Sequence, residues 1–117
     1  MNIKKVLFID DGNINQTITR IRDKVKRLGF DICADVINPQ DQNYKSNFDG
    51  VIEIDFSKIK KDVTDNYKEN RYEIVACDFS FVSEKLNGYE LIRWVINESK
   101  SSNFAFKKAK FVCYSSE

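Results

Sequence analysis

Two apolar runs in this chain stop at acidic side chains: Val6-Leu7-Phe8-Ile9 leads into Asp10 and Asp11, and Ile74-Val75-Ala76-Cys77 leads into Asp78. A third run, Phe111-Val112-Cys113-Tyr114, leads into Ser115 and Ser116. Carboxylates gathered at such strand ends repel one another, each pair by about 4 kcal/mol at about 4 Å with an effective dielectric of about 20, so a cation is expected among them. Oxygen ligands without nitrogen or sulfur select a hard ion. A site with few protein carboxylates and room for water and phosphate favours Mg²⁺ over a fully caged Ca²⁺. With its charge screened, one carboxylate can act as a nucleophile toward phosphorus and become an acyl phosphate, while a neighbouring hydroxyl donates to a phosphoryl oxygen. The chain has no histidine, which excludes Ser-His triads, Cys-His dyads, His-ligated metals and phosphohistidine relays within it. An acidic pair after a strand can equally stabilise the start of the following helix. Asp78, at the end of a second strand of the same kind, shifts the reading toward a metal site.

The elements that must position these residues follow from periodicity. A continuous apolar run bounded by charge, such as Val6 to Ile9, is the pattern of a strand buried on both faces of a parallel sheet. Ile14, Ile18, Ile21, Val25 and Leu28 then recur at helical spacing, with Lys26 and Arg27 at the negative end of that helix and Gly29 placed to cap it. Residues 30 to 37 are rich in strand formers. Residues 38 to 47 turn polar, contain the only proline and read as a loop, and Val51 to Ile54 adds a short extended piece. Phe56, Ile59, Val63 and Tyr67 form a second helical stripe behind a Ser57 cap. Tyr72 to Cys77 is a strand. Tyr89, Ile92, Val95 and Ile96 mark one face of a helix over about residues 87 to 98, residues 99 to 103 a solvated connection, and Phe111 to Tyr114 the last strand. This β-α-β-α-β-α-β order predicts an α/β fold, a doubly wound parallel sheet with right-handed crossovers, whose ligands bind beyond the carboxyl ends of the strands.

A chain of 117 residues, 42% of them hydrophobic, has material for one core, so residues 1–117 are expected to form a single domain. Nineteen basic and eighteen acidic side chains nearly cancel, which gives no electrostatic reason to expect nucleic acid or an anionic membrane as partner. The apolar runs are far shorter than the roughly 20 residues of a membrane span, and the one behind Met1-Asn-Ile-Lys-Lys5 ends too soon for a signal peptide, so a cytoplasmic location is expected. Cys33, Cys77 and Cys113 are odd in number and lie in strand-type sequence. They are expected as buried, reduced thiols rather than disulfide or zinc ligands.

Four blocks in order carry a family resemblance. Lys5-Val-Leu-Phe-Ile-Asp-Asp11 resembles the opening strand and acidic pair of response-regulator receiver domains, and Tyr72-Glu-Ile-Val-Ala-Cys-Asp78 resembles their third strand with its phosphoacceptor. Asn87-Gly-Tyr-Glu-Leu-Ile92 is similar to the start of their third helix, and Phe111-Val-Cys-Tyr-Ser-Ser116 to their fourth strand with its hydroxyl residue and a small one after it. The resemblance implies that Asp78 is phosphorylated by a histidine kinase or a phosphotransfer protein. It implies that Asp11 and Asp78 bind Mg²⁺ directly, Asp10 mostly through water, and that the backbone carbonyl of Ser80 completes the protein ligands. Ser115 would be the hydroxyl that moves toward the phosphoryl group, and Ser116 the small residue that leaves access to it. The implied architecture is a flavodoxin-like receiver fold of strand order 2-1-3-4-5, with an insertion at about residues 38–56 between the second strand and second helix. The fifth strand, its lysine and the fifth helix would fall after Glu117; Lys107, Lys108 and Lys110 precede the fourth strand and lie at its wrong end.

Two functions of different class follow. One is a Mg²⁺-dependent phosphoacceptor switch that is not an enzyme beyond its own phosphotransfer and dephosphorylation; the other is a receiver-like protein-interaction module that no longer switches. The apolar strand at Phe111 to Tyr114 is expected to associate through its edge, as a homodimer or by exchange of segments. No glycine-rich phosphate loop is present, which argues against an NTPase.

Overall fold

The computed structural model describes residues 2–10, 12, 14–78, 88–101, 104–105 and 108–114, leaving aside the side chains of 88 and 114. In chain order the elements are β1 (Asn2–Ile9), α1 (Asn15–Lys26), β2 (Phe30–Ile37), β3 (Lys45–Phe48), β4 (Val51–Ile54), α2 (Phe56–Asp62), β5 (Ile74–Asp78), α3 (Gly88–Lys100) and β6 (Lys110–Tyr114). The expected α/β class is observed: β2, β1, β5 and β6 form one parallel sheet in that order, with helices on both faces. This order differs from the expected 2-1-3-4, because two further strands, β3 and β4, intervene in the chain between β2 and β5. β3 and β4 pair with each other as an antiparallel hairpin, in the segment read as loop and short extended piece.

Side chains alternate across the sheet. Leu7, Ile9, Val75 and Cys77 point to one face, where Ile59 of α2 and Leu91, Ile92 and Val95 of α3 complete the larger core. Val6, Phe8, Ile32 and Ala76 point to the other, where α1 contributes Ile14 and Ile18. On the larger core Trp94 stacks edge-on against Phe56 and Phe104, with ring centroids 6.0 and 5.6 Å apart.

Several local expectations are corrected. Leu28, read as part of the α1 stripe, is 72% exposed, because the helix ends at Lys26 and the turn through Gly29 (φ +86°) lifts it from the sheet. The cap of α2 is Asp55, whose carboxylate accepts from the Ser57 amide at 3.0 Å, rather than Ser57 itself. On α3 the buried positions are Leu91, Ile92 and Val95, whereas Tyr89 faces solvent. That helix continues to Lys100, so Ser99, expected in a solvated connection, is buried with its hydroxyl donating to the Val95 carbonyl at 2.8 Å. Tyr72 precedes β5 instead of opening it; it is buried, and its hydroxyl donates to Asp35 at 2.5 Å. Of the cysteines, Cys77 alone is buried. Cys33 and Cys113 are exposed because β2 and β6 are the outer strands of the sheet among the described residues, whereas β5 lies inside it. Among the described residues no helix is long and apolar enough to cross a membrane.

Candidate functional site

β1 and β5 lie side by side and parallel, with Ile9 in register with Cys77. The next residue of each strand is Asp10 and Asp78, so these two carboxylates occupy adjacent positions at the carboxyl end of the sheet. Among the described residues they are the buried charged side chains, 3% and 0% exposed. Burial of this kind disfavours a lone ion, and acidic groups so placed are held by hydrogen bonds or a cation. Asp10 is fixed on two sides: its amide donates to the Ile37 carbonyl of β2 at 3.0 Å, and its Oδ1 accepts from the Gly12 amide at 2.7 Å. A Cβ at position 12 would sit 3.2 Å from that oxygen, so glycine there leaves the carboxylate its place. Gly12 was not among the sequence-derived site residues, although the Asp-Asp-Gly order holds the signal: a tight turn directly after an acidic strand end.

The two carboxylates act on the same neighbour. The Cys77 thiol is pushed up to about 12, chiefly by burial, then by Cys113, Asp78 and Asp10. A thiol held protonated beside two carboxylates is a structural filler and takes no part as a nucleophile. On the far side of Asp78 its register partner is Tyr114, the residue before Ser115.

Of the residues singled out from sequence, Asp10 and Asp78 are thus brought together, while Asp11, Ser80, Ser115 and Ser116 lie outside the described residues. Among the described residues there is no group of three or more His, Cys, Asp or Glu side chains that could hold a metal. The pair Asp10 and Asp78 offers only oxygen donors, a set that suits a hard cation completing its shell with water and other oxygens. Compared with protein-family models, curated proteins and solved structures, the chain matches none.

Proposed function

We propose that the chain is a receiver-type phosphoacceptor switch of flavodoxin-like receiver fold, in which Asp78 accepts a phosphoryl group from a histidine kinase or phosphotransfer protein. The observation that carries this reading is the placement of two buried carboxylates, Asp10 directly after β1 and Asp78 as the last residue of β5, at the carboxyl ends of adjacent parallel strands. An Asp78 oxygen forms a bond to phosphorus as the P–N bond of the donor phosphohistidine breaks, and the imidazole leaves with the electron pair and takes up a proton. Asp10, Asp11, Asp78 and the Ser80 carbonyl would hold Mg²⁺, which supplies neutralisation of the charge on the transferring group. Gly12 and the Ile37 carbonyl hold Asp10 in place. Ser115, with the small Ser116 beside it, supplies a hydroxyl to the phosphoryl oxygens. The adduct adds about two negative charges at the rim, enough to bias which partner the neighbouring surface binds. A cytoplasmic setting, where such donors act, belongs to the same proposal.

Incubation with acetyl phosphate and Mg²⁺, followed by intact mass measurement, tests this. A labile phosphoryl adduct on the wild type that is absent from Asp78→Asn is the expected result; an adduct of equal yield on the variant overturns it. Asp11→Asn should weaken Mg²⁺ binding by titration, and unchanged affinity removes Asp11 from the ligand set. A folded wild type that forms no adduct would favour the second reading, a receiver-like protein-interaction module that no longer switches.

A further inference from the structure

β2 and β6 are the outer strands of the sheet among the described residues, so a strand added beyond β6 would lie at the far edge from β2. β2 is eight residues long and pairs with β1 along its whole length. In a strand the N–H and C=O of one residue point to the same side, and those of the next residue to the other. The Ile37 carbonyl accepts from the amide of Asp10, the residue that follows β1, so Asp31, Cys33, Asp35 and Ile37 turn their backbone groups toward β1. Ile32, Ala34 and Val36 therefore turn theirs outward. An edge of this length in strand-forming sequence is a template for another strand.

At Ile32 that edge is closed. The Ile32 amide donates to Asp31 Oδ1 at 2.8 Å, and the Ile32 carbonyl accepts from an Arg22 Nη of α1 at 3.3 Å. Arg22 Nε lies 3.3 Å from the same Asp31 oxygen, so one ion pair spans both outward groups. Its side chains are 40 and 32% exposed, and a pair so exposed adds little stability by itself. What it does is occupy the donor and the acceptor that an incoming strand would use. The remaining outward groups, on Ala34 and Val36, serve a second copy poorly in antiparallel pairing of β2 with β2 about a twofold axis. With the axis at Asp35, Ala34 meets Val36 of the other copy, but the two Asp35 side chains stand directly opposite. With the axis at Cys33, Asp31 stands opposite Asp35, and like charges so placed are destabilising. With the axis at Val36, the pairing runs past Ile37 to Asn38, whose carbonyl already accepts from the Asp41 amide. With the axis at Ala34 no carboxylates meet, but Ile32 must pair with Val36, through the groups that the ion pair holds.

We propose that the Arg22–Asp31 pair is an edge guard: it withholds the outward backbone groups of Ile32 and so keeps β2 from pairing with β2 of a second copy of this chain. The guard reaches across from α1, so it is set only when the helix has docked on the sheet. The inference rests on α1 and β2 and is independent of the chemistry at Asp78.

The test is the double variant Arg22→Ala, Asp31→Ala in sedimentation velocity over a range of concentrations, beside the wild type. With circular dichroism unchanged, the variant should self-associate about tenfold or more tightly than the wild type. Adding Ala34→Pro should return it to wild-type behaviour, because proline there removes an outward N–H that the new pairing needs and none that β1 uses. A folded double variant that associates no more tightly than the wild type overturns the proposal. So does association that survives Ala34→Pro, which would place the contact elsewhere on the molecule. Native-state amide hydrogen exchange tests the guard without any substitution. In the wild type the Ile32 amide, corrected for intrinsic rates, should exchange about tenfold or more slowly than those of Ala34 and Val36, and equal rates would overturn the proposal as well.

Discussion

On one face of the β2-β1-β5-β6 sheet, Leu7, Ile9, Val75 and Cys77 are fully buried under α2 and α3; on the other, Ile74 and Val112 remain 36 and 47% exposed beside α1. The two sets share β5 and are the same kinds of residue. Cys77 and Cys113 show a separate effect within one face: they are register partners across β5 and β6, and Cys113 is exposed because β6 is an outer strand among the described residues. Between the two faces, what differs among the described residues is the number of helices: two on the first and one on the second. Apolar composition therefore marks where a sheet can be covered, and the helices decide where it is.

The contrast can be broken or sharpened by substitution. The largest effect is expected from Leu91→Ala, which opens a cavity at a fully buried site of α3 and should cost about 2–5 kcal/mol of unfolding free energy in urea denaturation. A cost as small as that of a surface substitution would show that α3 does not close its face. Next is a pH effect at Cys77, whose thiol is raised from 9.0 to about 12 in the folded chain. The protonated form is the one favoured by folding. Its contribution is complete below the unfolded value and is lost as pH rises toward the folded one, so stability should fall between about pH 9 and about pH 12. Cys77→Ala should flatten that loss in urea midpoints measured across the window. In the same experiment at about pH 8, iodoacetamide should label Cys33 and Cys113 in the native chain and reach Cys77 only after unfolding.

A smaller change, about 1 kcal/mol, is expected for Asp55→Ala, which removes the cap of α2 together with the hydrogen bond from Ser46 at 2.8 Å. The smallest is Val112→Thr on the open face, where the shift in urea midpoint should correspond to about 0.5 kcal/mol or less. A loss several times greater would mean that Val112 is covered in the isolated chain.

The strands that depend on continuous apolar runs were legible, and so was the pair of carboxylates that ends them. β2 was read over the residues it occupies, and Asp10 and Asp78 stand where their runs stop. The β3-β4 hairpin was not legible by the same rule, because Lys45-Ser-Asn-Phe48 has no alternation of apolar and polar residues. Its signal is the turn: Asp49 and Gly50 both take positive φ, 54° and 89°, as a two-residue hairpin loop of mirror-image type requires. α3 failed differently. Its apolar residues, Tyr89, Leu91, Ile92, Trp94, Val95 and Ile96, wrap more than one stripe, so spacing alone admitted Tyr89 to the buried face and omitted Leu91.

What the sequence determined by itself is local: which runs become strands, which residue ends each one, and where Gly29 lets a helix stop. These depend on side chains within a few positions of one another. The tertiary structure decided that Asp10 stands beside Asp78, that Tyr72 reaches Asp35, and that among the described residues one apolar face is closed by two helices and its reverse by one. Such outcomes follow from strand order and from the share of helices on each side of the sheet. Those are pairings between distant parts of the chain, to which local pattern carries no register.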